Sequence, residues 1–372
     1  KSKENRPLPI VQMGLFMDAN GIPLGFSITP GNTNEQKTVK PLETKIMKDF
    51  NLSKFVYCAD AGLGSTSIKV LNNSKNKAFV VTQSLKKLKA DKQKEIFNDK
   101  GWRNLRTGKI KNISEIENND KDTYFKQVTV ERKIDVGLSK YIGKREVTDY
   151  AVLKERIIVT YQKKYDLYQK KIRKRQIDDA MNKVDNNIQQ RPSQNSPNRL
   201  IKSFSITPDG ELAKKKFQML DVHKIEKEEK YDGYYALSTN LEDTVESILK
   251  INSRRWEIEE SFRIMKSNFK ARPTYLSNKN RIIAHFLTCF TSLLIYRIFE
   301  HRVEELDTKE KFSVGEIIDN LQKMTVTDEF GLVYHSQYLE SDFTLIMERI
   351  SKINLSHEFI FKAEMKKILK NI

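Results

Sequence analysis

The segment Arg254-Arg255-Trp256-Glu257-Ile258-Glu259-Glu260-Ser261-Phe262-Arg263-Ile264-Met265-Lys266 constrains this chain more than any other. Wound as a helix at about 100° per residue, it gathers Arg255, Glu259, Arg263 and Lys266 into one narrow sector. Ile258, Phe262, Met265 and Phe269, spaced 4, 3 and 4, form a second stripe about a quarter turn away, expected to be buried. One carboxylate therefore stands among three cations beside a packing face. That arrangement suits a ligand for a hard divalent cation, flanked by groups that hold phosphates. The same residues would also serve as solvated i,i+4 pairs, such as Arg255 with Glu259, on an ordinary amphipathic helix.

Composition narrows the partners. The formal net charge is +18, from 67 Lys and Arg against 49 Asp and Glu, and a polyanion, nucleic acid first, is the natural counterpart. With 372 residues there is room for two or three domains with cores of their own. The two cysteines, Cys58 and Cys289, both lie in apolar stretches, which implies neither a disulfide framework nor a cysteine metal site and fits a reducing cytoplasm. The longest apolar run, residues 282–296, contains His285 and falls short of the roughly 18–20 residues that span a bilayer, so a buried core helix and no membrane partner are expected. No Gly-rich phosphate loop appears, and no nucleotide cofactor is expected.

Residues 10–17 and 22–28 read as two strands, and the Asn20-Gly21 pair between them as a tight hairpin that needs positive φ. A helix is expected over 34–50. The short buried strand 55–59 ends on Asp60 and Gly62, ahead of a helix at about 65–73 and a strand at 79–82. An acid at the carboxyl end of a buried strand is a frequent active-site position, although Asp60 could equally cap a turn. Beyond residue 83, segments 124–130 and 155–160 suggest strands. A basic helix then follows in which Tyr161, Tyr165, Tyr168 and Ile172 look like a packing stripe, and the surrounding Lys and Arg like contacts to a DNA backbone. Residues 185–200 read as an exposed polar loop. Strand 231–240 ends on Thr239-Asn240, which could cap the next helix. The helix of Glu259, an apolar helix at 281–300 and a helical tail complete the chain.

The wording of several segments, in order, resembles the DDE-type transposases of bacterial insertion sequences. Their signature runs Tyr, two residues, Arg, three residues, Glu, six residues, Lys. Arg255, Glu259 and Lys266 fall in its last three slots, while Asn252 stands in the Tyr slot. The segments Pro30-Gly31-Asn32-Thr33, Ala59-Asp60-Ala61-Gly62, Tyr231-Asp232-Gly233-Tyr234, Lys270-Ala271-Arg272-Pro273 and Arg281-Ile282-Ile283-Ala284-His285-Phe286 are similar to the family too. The resemblance covers most of residues 1–300. It implies an α/β fold: a ribonuclease-H-like mixed-sheet core (1–82 and 229–300), interrupted by a β-rich insertion domain with a basic helix (83–228) and followed by a helical C-terminal region (301–372). It implies DNA binding with metal-dependent cleavage and strand transfer at element ends, two Mg²⁺ or Mn²⁺ ions, and a homodimer when two ends are synapsed. Asp60 and Glu259 would be catalytic metal ligands, with Arg255, Lys266 and Arg263 on phosphates. Trp256 would be either a packing residue or a base-stacking platform.

In that family the first Asp of the catalytic trio lies on a strand upstream of the Lys1-Ser2-Lys3-Glu4-Asn5-Arg6-Pro7 segment. Asp18, in a hairpin turn, and Asp232, opening a later strand, do not match it. The resemblance therefore leads one to expect a catalytically incomplete chain, lacking that strand and the N-terminal DNA-recognition region. A non-catalytic, DNA-binding or dimerising remnant is the alternative.

Overall fold

The computed structural model describes residues 10–142, 145–186, 196–206, 212–306, 312–338 and 340–371. The chain forms two compact units, Lys1–Asn51 with Ser253–Ile372, and Leu52–Asn252.

The first unit begins with the antiparallel hairpin of β1 (Val11–Met17) and β2 (Pro23–Pro30). Asp18 Oδ1 accepts the backbone N–H groups of Asn20 and Ile22, both at 2.8 Å, and so builds the turn. Gly21 sits at φ +78°, and a Cβ there would lie 2.5 Å from Glu257 Oε2, so both backbone and neighbour demand glycine. Helix α1 (Glu35–Asp49), capped by the Asn34 side chain on Gln36 N–H, buries Val39, Leu42 and Ile46 and packs on β2.

The second unit runs β3 (Phe55–Ala59), α2 (Thr66–Leu71), β4 (Lys77–Thr82), α3 (Ala90–Ile96), β5 (Trp102–Asn104), β6 (Ile110–Lys111), β7 (Thr123–Ile142), β8 (Arg145–Gln162) and α4 (Lys163–Asp185). It continues through β9 (Ile201–Ile206), β10 (Leu212–Leu220), α5 (Val222–Glu229), β11 (Tyr234–Thr239) and α6 (Val245–Ser253). Seven strands make one mixed sheet, in the order β3-β4-β11-β8-β7-β5-β6, with β3 and β4 parallel and the other pairs antiparallel. β11 joins the early and late strands, since Leu237 pairs with Thr82 on one side and Ile158 on the other. The run-like apolar strands expected of a two-sided sheet are present: Phe79, Val80, Val81, Ile157, Ile158, Val159 and Leu237 are all inaccessible to solvent. Among the described residues β1 has one strand neighbour, β2, and β3 has one, β4.

A polar network lies inside this sheet's packing. Lys69 Nζ reaches Glu155 Oε2 at 2.5 Å and Ser238 Oγ at 3.0 Å, while Arg132 pairs with the other oxygen of the fully buried Glu155. Burial pushes Glu155 up, but hydrogen bonds from Lys69 and Ser238 and the charges of Lys69 and Arg132 outweigh it and hold the carboxyl below its ordinary range. A depressed carboxylate contributes stability that is complete above its unfolded value, about 4.3, and is lost as pH falls through the folded value. Acid unfolding of this unit should therefore steepen below about pH 4.3. Glu155→Gln should flatten that limb while lowering neutral stability by about 3–5 kcal/mol, because Lys69 is left buried without its partner. Urea melts across pH would show a parallel acid limb in the variant if this were wrong.

Several expectations are corrected here. Tyr161 belongs to β8, not to the basic helix, and is buried, whereas Tyr165, Tyr168 and Ile172 on α4 are exposed rather than packed. α4 is instead held by polar groups: Arg173 forms a bidentate pair with Asp232, and Gln169 Oε1 accepts Gly233 N–H at 2.8 Å. Thr239 and Asn240 do not cap α6. Thr239 Oγ1 donates to Phe79 O, Asn240 Oδ1 accepts Phe79 N–H, and Thr244 supplies the cap on Ser247 N–H. Of the loop expected at 185–200, residues 187–195 lie outside the described residues, and 197–200 form a 3₁₀ turn that buries Leu200. Cys58 is half-buried and Cys289 buried, and the two are not joined in a disulfide.

The first unit closes with α7 (Trp256–Ser267), α8 (Lys279–Glu305), α9 (Val314–Lys323), β12 (Val326–Glu329), β13 (Val333–Ser336), α10 (Asp342–Ser351), β14 (Phe359–Phe361) and α11 (Lys362–Asn371). The tail is thus not purely helical, since β12, β13 and β14 form an antiparallel sheet. α8 extends beyond the apolar run at 282–296, and by length and composition alone it could cross a membrane. Its Cys289, Leu293 and Tyr296 nevertheless pack with Leu15, Ile264, Met265, Ile317 and Phe343 in this unit's core.

Candidate active site

Asp60 follows the last residue of β3 in the second unit, where the parallel pairing of β3 with β4 ends. Its Oδ1 accepts the N–H groups of Gly62 at 2.9 Å and Leu63 at 3.1 Å, and Tyr57 OH ties down Leu63 O at 3.3 Å. The turn-capping role and an outward-facing carboxylate therefore coexist. The side chain is exposed and Oδ2 makes no hydrogen bond to a described residue. A hard oxygen donor with one free oxygen and a fixed backbone seat fits a divalent cation.

Glu259 stands on α7 in the first unit. The helix expected from residue 254 begins at Trp256, because α6 ends at Ser253 and Arg254-Arg255 form a turn. Its buried residues are Ser261, Ile264 and Met265; Ile258 and Phe262 are only half-buried, which moves the packing face from the expected stripe. With Glu257 set at zero, Ser261, Ile264 and Met265 fall within about 80° of it, while Arg255, Lys266 and Glu259 lie at about 160°, 180° and 200°. The signature triplet is thus opposite the packed face. Glu259 is 72% exposed, with Arg255 Nη1 3.7 Å from its Oε1, a loose i,i+4 pair. Arg255 Nε is buried without an acceptor among the described residues. Lys266 Nζ lies 5.7 Å from the Phe262 ring centre. Arg263 pairs with Glu260 at 3.1 Å, and Trp256 is 58% exposed, so it does not pack as a core residue.

What fixes this orientation is a side chain the sequence did not single out. Arg297 of α8 is buried and donates through Nη2 to Ser261 Oγ at 2.9 Å and to Glu257 O at 3.2 Å, and through Nε to Ser261 Oγ at 3.2 Å. Its Nη1 binds Glu300 Oε2 at 2.6 Å, and Glu260 Oε2 lies 3.5 Å from Nη2. Burial pushes the neighbouring Glu257 carboxyl up, with Arg254 and Arg297 opposing and Asp18 and Glu300 reinforcing the shift. The only advance signal was a lone Arg inside an apolar helix, which is costly unless paired.

Among the described residues no three His, Cys, Asp or Glu side chains form a cluster able to hold a metal. A cleft of about 430 Å³ in the second unit is lined by Lys86, Lys224, Lys227 and Lys230 together with Gln93, Glu228 and Tyr231.

The family model of the transposase DDE domain matches residues 2–295. No curated protein matches the chain.

Proposed function

We propose that this chain, which belongs to the transposase DDE domain family, supplies the catalytic core of an insertion-sequence transposase that cuts and rejoins DNA at the ends of its own element. The observation that carries this reading is the display of Glu259 between Arg255 and Lys266 on the face of α7 opposite its anchored side. Asp60, with one free carboxylate oxygen at a strand end, is the second acid.

Asp60 and Glu259 would hold the divalent cations, Mg²⁺ or Mn²⁺, which supply Lewis-acid assistance to phosphodiester exchange when bound. Arg255 and Lys266 would hold non-bridging phosphate oxygens and balance charge that grows as an oxygen attacks phosphorus and the opposite P–O bond breaks. The departing oxygen takes a proton and leaves as a 3′-hydroxyl, which can attack a target phosphodiester in turn. Arg263 and Trp256, both exposed near this face, would contact the same strand. A pair of such cores would hold two element ends.

A second reading, a DNA-binding or dimerising protein without catalysis, is favoured by the absence of a three-carboxylate cluster among the described residues. Incubation of this chain with element-end DNA and Mg²⁺ separates the two. Strand cleavage rules out the second reading. Salt-sensitive binding without cleavage supports the second reading and overturns the first.

A further inference from the structure

α4 packs inside out. Its buried line consists of Asp166, Arg173 and Ala180, seven residues apart, and the polar members are satisfied from outside the helix: Tyr161 OH of β8 donates to Asp166, and Asp232, 59 residues on, pairs with Arg173. On the outward side Tyr165, Tyr168 and Ile172 face water, 37%, 59% and 37% exposed. A helix anchored by buried ion pairs has no packing need for two outward tyrosines. Their rings lie 6.5 Å apart and only 21° from parallel, so they present two flat faces in nearly one orientation.

The same sector carries charge. At about 100° per residue, Lys164, Lys171 and Arg175 fall within about a third of the circumference that also holds Tyr165, Tyr168 and Ile172. Between 163 and 175 there are seven cations (Lys163, Lys164, Lys170, Lys171, Arg173, Lys174, Arg175) and one acid, the buried Asp166. Lys163 and Lys170 are engaged by Asp166. Lys164, Lys171 and Arg175 make no ion pair with a described residue. Cations interleaved with exposed rings match a strand whose phosphates and bases are both accessible. A duplex offers only the phosphates, whereas an unpaired strand offers both.

We propose that the Tyr165–Tyr168 face of α4 is a platform for unpaired DNA, its bases stacking on the rings and its phosphates held by Lys164, Lys171 and Arg175. This rests on the DNA-processing reading above but concerns binding alone. Fluorescence anisotropy with labelled oligo(dT) and with a mixed-sequence duplex, unrelated to any element end and without metal, tests it on the full chain. Tyr165→Ala/Tyr168→Ala should weaken oligo(dT) binding by about 10–100-fold and duplex binding by less than about threefold. Tyr165→Phe/Tyr168→Phe should restore oligo(dT) binding, since the ring, not the hydroxyl, is used. Lys164→Gln/Lys171→Gln/Arg175→Gln should weaken both ligands and flatten the salt dependence.

Equal losses for strand and duplex in the alanine pair, or no loss at all, would overturn the proposal. So would a change in oligomeric state with unchanged oligo(dT) binding, which would make the face a self-association surface. Should the alanine pair fail to fold, Tyr165→Leu/Tyr168→Leu keeps the apolar surface and removes the rings, and the same criteria apply. A chain that never cleaves DNA can still pass this test, and a cleaving one can fail it.

Discussion

Glu259→Gln and Asp60→Asn should each lower Mg²⁺-dependent strand cleavage by about 10³-fold or more in a cleavage-competent form of the transposase, with element-end binding changed by no more than a few-fold. The charge is what each change removes; size and hydrogen-bonding capacity stay. Both side chains are exposed, and neither anchors a core, so the melting temperature should hold. Glu257→Gln, two residues away on the packed face, is the internal control. Burial already favours the neutral form of Glu257, so cleavage should persist and stability at pH 7 should rise slightly. Cleavage that survives Glu259→Gln, or collapses equally in Glu257→Gln, would remove Glu259 from the catalytic group. Doubling the losses tests the pairing of the two acids: if they serve one metal-assisted step, the double variant should lose little more than either single one.

The parts of this molecule legible from sequence are those whose cause is local. The β1–β2 hairpin follows from Asn20-Gly21 and alternation, and Gly21's positive φ is the requirement those residues announce. Asp60 at the end of β3 follows from a short apolar run closed by an acid and glycine. The outward placement of Glu259 and Lys266 on α7 follows from helical periodicity. What stayed hidden depends on partners far along the chain. α4 looked as though its tyrosines faced inward, because the residues that make its polar side burial possible, Asp232 and Gly233, lie about sixty positions downstream. Thr239 and Asn240 looked like a cap because the strand they bind, at Phe79, is 160 and 161 residues away. The break at Arg254-Arg255 has no Pro or Gly to mark it, and the β12–β13 turn is marked only by Gly331, at φ +70°, without an Asn-Gly pair.

Arg297→Lys should separate stability from catalysis more clearly than any change at the displayed face. The guanidinium clasps three groups of α7 at once, Glu257 O, Ser261 Oγ and Glu260, and ties them to Glu300. Because these contacts fall on the side of α7 opposite Glu259, they set the rotation of the helix about its own axis and with it the aim of the carboxylate. Removing the fork with Arg297→Met leaves Glu300 and Glu260 beside an apolar side chain and should cost about 3–5 kcal/mol. Lysine keeps the charge but cannot reach Ser261 and Glu257 O in the same fork, so α7 gains freedom to rotate. At temperatures well below the Arg297→Lys melt, kcat for cleavage should fall by about 10–100-fold while KM for element-end DNA stays within a few-fold, since misaim of about 1 Å is enough for such a loss. Ser261→Ala, which removes one acceptor, should show the same split at smaller size. A purely structural role predicts otherwise: kcat per folded molecule would stay at its original value, and only the folded fraction would change. That outcome would leave Arg297 a core residue and return the aim of Glu259 to α7's apolar packing alone.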